Sequence, residues 1–119
     1  VHFHLVDSVG KKIKVINDVK EKLALDNITA YNERVENLNF KVDFVVCRAV
    51  APLQTLINWS ADKISAQQNH PIKNGFLCLK GGDLKEELSA YGNATIVPLN
   101  EFYGEAFFET KKLVYYHLD

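Results

Sequence analysis

The chain lacks the residues that mark several protein classes. Its 119 residues include no methionine, two cysteines and three prolines. Cys47 and Cys78 form neither a CxxC pair nor a cluster of metal ligands, and no signal peptide is visible, so reduced thiols and a cytoplasmic location are expected. No run approaches the roughly eighteen consecutive apolar residues of a membrane helix, so no membrane partner is predicted. The chain begins at Val1, whereas an intact product would begin with methionine, so we expect a further segment upstream.

The charge balance is nearly even. The formal net charge is −1, with 47% hydrophobic and 24% charged residues. This composition is ordinary for a soluble globular protein and supplies apolar side chains for a core, in one domain at most. A free-standing nucleic-acid binder is usually basic, so the charge argues weakly against one. An RNA enzyme whose basic surface is local, or lies upstream, is still compatible with it.

The first forty residues predict a strand, a helix and a second strand. Residues 2–6 indicate a buried strand that stops at Asp7 and Ser8, and Ser8 is suited to cap the helix that follows. Near-helical spacing then connects five apolar residues: Ile13, Ile16, Val19, Leu23 and Leu25. Residues 28–31 predict a second, short strand. The polar residues 32–39 predict a loop with a turn of helix.

The rest of the chain predicts four more strands. The clearest spans residues 42–47, and the others span 76–79, 95–99 and 113–118. The last two have no helical pattern between them, so we expect them to pair antiparallel at one edge of the sheet. Strands that alternate with helices predict parallel βαβ units. The expected fold is therefore α/β, with a mostly parallel sheet and an antiparallel edge pair.

Two further helices are predicted between these strands. After a loop at residues 48–52, Pro52 suits the first turn of a helix. That helix carries four apolar residues: Leu53, Leu56, Ile57 and Ile64. Asp83 is suited to cap the second helix, which includes Leu84 and Leu88.

Polar side chains follow the predicted strands at their carboxyl ends, where open α/β sheets bind ligands. Asp7 ends the first strand, and a carboxylate there offers two oxygen atoms to a ribose diol. A role for Asp7 in capping the next helix is equally compatible with the sequence. Glu36 follows the second strand, in a loop that can lie against an adenine, although a surface glutamate is the commoner explanation.

Arg48 and Lys80 each follow an apolar strand. The planar guanidinium of Arg48 suits a carboxylate or an RNA phosphate, and Lys80 is interpreted in the same way. A structural ion pair with a neighbouring acid is the alternative for both. His2 and His4 form an HxH pair that can bind zinc, but no third ligand is in register, so ordinary strand histidines and no metal site are predicted.

Four segments carry, in this order, the motifs of one enzyme family. They are LVDSVGKKIKVI at 5–16, ERVENL at 33–38, DFVVCRAVAPL at 43–53 and GFLCLKGG at 75–82. In combination they resemble the RsmG family, also called GidB or glucose-inhibited division protein B. The resemblance covers most of the chain and is loosest in its last third, and Cys47 stands where the family often has serine.

The resemblance implies a class I S-adenosylmethionine-dependent methyltransferase with a Rossmann-like fold. The family's target is N7 of a guanine in the 16S ribosomal RNA of the small ribosomal subunit, so an rRNA (guanine-N7-)-methyltransferase is expected. Guanine N7 carries a lone pair and no proton, so we expect alignment of the reacting atoms to suffice and identify no catalytic base.

The resemblance also assigns roles to six residues by position. Asp7 and Ser8 are similar to the family's ribose contact, and Val35 and Glu36 are similar to its adenine contact. Arg48 resembles the arginine at the edge between cofactor and substrate. Lys80 is similar to the strand-end lysine, for which RNA contact is expected.

The chain departs from the family at its start. Such a fold opens with a central strand and a glycine-rich turn, and both are absent, so residues 1–119 are expected to form a partial methyltransferase domain running from the second strand of the fold to the last. The first and third visible strands then lose the neighbour that lies between them. We expect little or no S-adenosylmethionine binding and no activity from these 119 residues alone. Another copy, a swapped segment or an upstream piece are the candidates to fill the position, so self-association is a further expectation.

Two other functions stay open at this point. One is a class I methyltransferase that acts on a small molecule or a protein. The other is a non-catalytic binding module, which the missing loop favours and the polar strand ends disfavour. A dinucleotide-dependent oxidoreductase is less well supported, because nothing after Asp7 indicates nicotinamide chemistry.

Overall fold

Two units make up the chain in the computed structural model, which describes residues 1–48 and 51–118. The first unit, Val1–Asn39, contains strand β1 (Phe3–Asp7), helix α1 (Gly10–Lys22) and strand β2 (Ile28–Asn32). β1 and β2 pair in parallel, so their carboxyl ends are level, with Asp7 opposite Asn32. The predicted strand–helix–strand unit is confirmed.

Helix α1 begins without a side-chain cap. Its N-terminal cap position is Val9, and no side chain bonds to its first turn, so the prediction that Ser8 caps the helix is wrong. Asp7 makes the local hydrogen bond instead, because its Oδ1 accepts the Val9 N–H at 2.8 Å. A cap residue directly precedes the first helical residue, and because α1 begins at Gly10 that position belongs to Val9 and not to Ser8.

Helix α1 also ends earlier than its apolar spacing predicts. It ends at Lys22, and Ala24 then adopts a positive φ of 51°. Leu23 and Leu25 therefore lie past the helix, contrary to the prediction. A residue in the left-handed region cannot continue a right-handed helix.

The second unit, Phe40–Asp119, contains a four-stranded sheet in the order β3-β4-β6-β5. Its strands are β3 (Phe44–Arg48), β4 (Gly75–Gly81), β5 (Thr95–Pro98) and β6 (Lys111–His117). β3 and β4 are parallel, whereas β6 runs antiparallel to both β4 and β5. The predicted antiparallel pair at one edge is confirmed.

Helix α2 (Leu53–Ser60) follows β3 and continues as a 3-10 turn at Ala61–Lys63. Pro52 directly precedes its first turn, as predicted. Ile64 lies past the helix and instead makes an isolated parallel bridge with Val42. Within the predicted 48–52 loop, residues 49 and 50 lie outside the described part of the chain.

The core of the second unit centres on β4. Its fully buried apolar residues include Phe76 and Cys78 of β4, Val114 of β6 and Leu53 of α2. Burying one such side chain stabilises a fold by about 1.5–3 kcal/mol. β4 is therefore held on both sides, by β3 and β6, and its carboxyl end is a fixed position.

The helix predicted after Asp83 is absent from the described residues. The segment forms turns, with a single i→i+4 bond from Leu88 N–H to Leu84 O. Asp83 does accept a local N–H, from Lys85 at 2.9 Å. One turn is enough to explain the spacing of Leu84 and Leu88, because that turn places both side chains in the core. The prediction of a helix is therefore wrong.

Four of the described strands have a single partner: β1, β2, β3 and β5. Within residues 1–48 and 51–118, β1 pairs with β2 alone and β3 pairs with β4 alone. One edge of β1 and one edge of β3 therefore present unpaired backbone groups among the described strands. Such edges are suited to accept a further strand.

Candidate functional site

The carboxylate of Asp7 lies at the carboxyl end of β1. Its Oδ1 accepts the Val9 N–H at 2.8 Å, and its Oδ2 lies 3.7 Å from Lys12 Nζ. The side chain is still 30% exposed. Because each carboxylate oxygen can accept more than one hydrogen bond, acceptor capacity is left for a ligand. The local role of Asp7 at the helix entrance is therefore present and compatible with the predicted ribose contact.

The loop after β2 lies at the same end of this small sheet. The Glu33 N–H donates to the backbone oxygen of Asp7 at 3.1 Å. Val35 and Glu36 then follow in a 3-10 turn, Val35–Asn37, and the carboxylate of Glu36 is exposed, with Arg34 Nε at 3.5 Å. The first unit thus collects four of the five predicted cofactor residues at one sheet end: Asp7, Ser8, Val35 and Glu36.

Glu33 is a residue of this loop to which the sequence analysis gave no role. Its Oε1 accepts hydrogen bonds from the Asn37 side chain and the Arg34 N–H, each at 3.0 Å. These bonds, that of Asn37 first, lower the pKa of Glu33. The carboxylate therefore closes the turn that carries Val35 and Glu36. The signal in the sequence was an acidic residue four positions before an asparagine, one helical turn apart.

Arg48 is the last residue of β3, opposite Leu79 of β4. Its side chain is exposed, and within the described part of the chain no acidic group forms a salt bridge with it. The ion-pair alternative is therefore absent among these residues. An exposed guanidinium costs little desolvation and keeps its donors available for a carboxylate or a phosphate.

Lys80 has a different environment. Its side chain is 10% exposed, its Nζ lies 3.0 Å from Glu87 Oε2, and it donates to the backbone oxygen of Ala51 at 2.9 Å. Glu87 Oε2 also accepts the Leu53 N–H at 3.4 Å. The pair therefore ties the end of β4 to the start of α2, which is the ion-pair alternative for Lys80. Its contact with RNA stays a prediction, and Glu87 is a partner that the sequence analysis missed.

The two strand histidines have ordinary cross-strand partners. His2 Nε2 lies 2.8 Å from Thr29 Oγ1, and His4 Nδ1 lies 2.9 Å from Tyr31 Oη. Burial, and then the neighbouring His2, lower the pKa of His4. Among the described residues no three histidine, cysteine or carboxylate side chains cluster as metal ligands do.

The comparison with known families decides the membership. The family model of GidB, described as rRNA small subunit methyltransferase G, matches residues 1–106. The chain belongs to the GidB family. The resemblance inferred from its four motifs is thereby confirmed.

Individual relatives agree with the family. The chain is 53% identical over 113 residues to a ribosomal RNA small subunit methyltransferase G of Christiangramia forsetii, covering 95% of this chain and 54% of the relative. It is 45% identical over 113 residues to the protein of that name from Flavobacterium johnsoniae, with the same coverage of both chains. The protein of that name from Bacteroides thetaiotaomicron is 45% identical over 114 residues, 95% of this chain and 55% of its own. The chain spans about half the length of the curated relatives it matches.

Family and structure agree on the fold. A GidB chain with parallel strands, crossover helices and an antiparallel edge pair has a class I methyltransferase-like fold. Among the described residues, no helix combines the length and the apolar character needed to cross a lipid bilayer.

Proposed function

We propose that this protein transfers a methyl group from S-adenosylmethionine to N7 of a guanine in 16S ribosomal RNA. The observation that carries the proposal is the match of the GidB family to residues 1–106, together with relatives named for methylation of small-subunit ribosomal RNA. A small-molecule or protein methyltransferase would not account for those relatives.

The residues at the sheet ends have the chemistry that this cofactor needs. A carboxylate with spare acceptor capacity, Asp7, suits the two ribose hydroxyls, with Ser8 beside it. Val35 and Glu36 suit the adenine, because they lie in the loop after the neighbouring parallel strand. The exposed guanidinium of Arg48 suits the methionine carboxylate or an RNA phosphate.

The proposed chemistry requires positioning rather than proton transfer. When bound, S-adenosylmethionine supplies an electrophilic methyl group on a sulfonium sulfur. Arg48 orients an anionic group at the end of β3. The hydrogen bond from Lys80 to the backbone oxygen of Ala51 holds the segment between β3 and α2 in place. Guanine N7 faces the major groove, which is narrow in an RNA helix, so we expect an unpaired or looped guanine as the substrate.

We further propose that residues 1–119 are part of a larger methyltransferase domain. In the class I fold a central strand with a glycine-rich turn lies between the strands equivalent to β1 and β3. Two observations support this arrangement. Among the described residues β1 and β3 each have one strand partner, and the chain spans about half the length of its relatives. On this proposal the 119 residues alone are inactive or self-associate to fill the gap. The complete enzyme works on the small ribosomal subunit in the cytoplasm.

Methylation of ribosomal particles tests the proposed function. The complete protein is incubated with labelled S-adenosylmethionine and small ribosomal subunits that lack the modification. We expect label in 16S ribosomal RNA, on N7 of one guanine, and none on subunits that already carry the methyl group. Label in protein or in small molecules alone would contradict the proposal.

A further inference from the structure

Two cysteine side chains face each other across adjacent strands of the second unit. Cys47 of β3 and Cys78 of β4 are register partners in a parallel pair, and their Sγ atoms lie 3.2 Å apart. Neighbouring strands are about 4.8 Å apart, within the Cα separation of about 4.4–6.8 Å that a disulfide spans. The sulfur atoms need to approach by only about 1.2 Å to reach bonding distance.

The two thiols differ in access and in acidity. Cys78 is 0% exposed and belongs to the core, whereas Cys47 is partly exposed. The hydrogen bond between the two thiols lowers the pKa of Cys47 against the opposing effect of burial, and the charges of Lys80 and Glu87 act in opposite directions. The same hydrogen bond and burial raise the pKa of Cys78. One thiol is therefore reachable and more easily ionised, and the second is held directly behind it.

We propose that Cys47 and Cys78 form a peroxide-sensitive modification site that converts to an intramolecular disulfide. The thiolate is the reactive form of cysteine, and redox-sensitive cysteines are accessible and lie beside a second, resolving cysteine. This pair has that arrangement. Nothing in the proposed methyl transfer uses either thiol, so the site is independent of the proposed function.

The reaction balances with hydrogen peroxide as the oxidant. The Cys47 thiolate attacks one peroxide oxygen and the O–O bond breaks. Cys47 becomes a sulfenic acid, and the departing hydroxide combines with the proton that Cys47 lost to form water. The Cys78 sulfur then attacks the Cys47 sulfur, so the S–S bond forms and the S–O bond breaks. The hydroxide released in the second step takes up the proton of Cys78. Two thiols and one peroxide therefore give one disulfide and two waters, and a small thiol reverses the change by exchange.

Peptide mapping of the complete protein tests the proposal. The protein is treated with hydrogen peroxide, denatured in an alkylating reagent, digested and analysed by mass spectrometry. We expect Cys47 and Cys78 to lose alkylation together, to appear in one cross-linked peptide, and to recover fully after dithiothreitol. Oxidation of Cys47 to sulfinic acid while Cys78 is still alkylated would overturn the proposal. So would two alkylated thiols at a peroxide concentration that oxidises free cysteine.

Two single variants separate the roles of the thiols. In Cys78→Ser the resolving thiol is lost, so the Cys47 sulfenic acid should persist and react with dimedone. In Cys47→Ser, a near-isosteric change at the less buried position, Cys78 should stay reduced because the residue that meets peroxide is missing. Equal oxidation of Cys78 in Cys47→Ser and in the unmodified protein would overturn the assignment. That comparison does not depend on the Cys78 variant folding.

Discussion

At the scale of single residues, the carboxylate of Asp7 makes one local hydrogen bond and keeps acceptor capacity for the proposed ribose contact. Its Oδ1 accepts the Val9 N–H, and its partly exposed second oxygen faces Lys12. In Asp7→Asn one oxygen is kept for the backbone bond, while the negative charge is lost. A hydrogen bond to a charged group contributes about 1.5–3 kcal/mol. We therefore expect the Kd for S-adenosylmethionine to rise about 10- to 100-fold in the complete protein, measured by isothermal titration calorimetry.

Asp83 offers a matched control for this substitution. It makes the same local contact, because its Oδ1 accepts the N–H two residues ahead, from Lys85. Asp83→Asn removes an equal charge and keeps an equal backbone bond, so the cofactor affinity should be unchanged. Equal losses of affinity in both variants would show that charge in general, and not the position of Asp7, matters.

The salt bridge between Lys80 and Glu87 leads to a prediction about the stability of the fold rather than about ligand binding. Removing Glu87 leaves a lysine ammonium that is 10% exposed with one backbone acceptor, Ala51 O. An uncompensated, nearly buried charge is costly. Glu87→Ala should lower the free energy of unfolding by about 2 kcal/mol, measured by urea titration. Glu86→Ala, one exposed residue earlier, should change it by less than about 0.5 kcal/mol, and equal effects would contradict this explanation.

At the scale of elements, strands were predicted more reliably than helix ends. Each of the six strands has a run of apolar or β-branched residues, and pairing only extended or trimmed the predicted ranges. The N-terminal end of α1 depended on which residue takes the cap position: the helix begins at Gly10, so Val9 takes it and Ser8 does not. After Asp83, one hydrogen-bonded turn placed Leu84 and Leu88 in the core, so packing overrode the helical spacing.

Gly75 begins β4 and the segment GFLCLKGG, and only the structure shows why a glycine is required there. A Cβ atom there would lie 2.3 Å from the backbone oxygen of Tyr116 and 2.9 Å from the Cα of His117. Backbone atoms of a paired strand cannot move aside as a side chain can, so β4 and β6 would separate. Gly75→Ala should destabilise the protein by at least about 2 kcal/mol, read from thermal or urea unfolding. Gly92→Ala, where the added atom meets nothing within 4 Å, is the control and should be neutral to within about 0.5 kcal/mol.

At the scale of the whole molecule, the motifs identified the family but could not supply the arrangement of the site. Asp7, Val35 and Glu36 share one sheet end because β1 and β2 are parallel and in register. Arg48 and Lys80 lie near the carboxyl ends of two neighbouring strands of the second unit. Only the structure shows that Lys80 is paired with Glu87, while Arg48 has no salt bridge among the described residues. The partner of Lys80, Glu87, lies in the turns that follow β4 and not at a regular helix or strand spacing, so a local pattern does not reveal the pair.

The unpaired edges of β1 and β3 lead to the last prediction. A strand that bonds to either edge would order backbone groups that the described residues leave unpaired, and its glycine-rich turn would add contacts to the cofactor. On the proposed function, the 119 residues supply the ribose and adenine contacts without those of the glycine-rich turn, so fewer interactions offset the entropy cost of binding. In calorimetric titrations we therefore expect no measurable S-adenosylmethionine binding to residues 1–119 at concentrations that saturate the complete protein. Micromolar affinity for the 119 residues would show that these contacts suffice, and that the proposed central strand contributes nothing essential to the site.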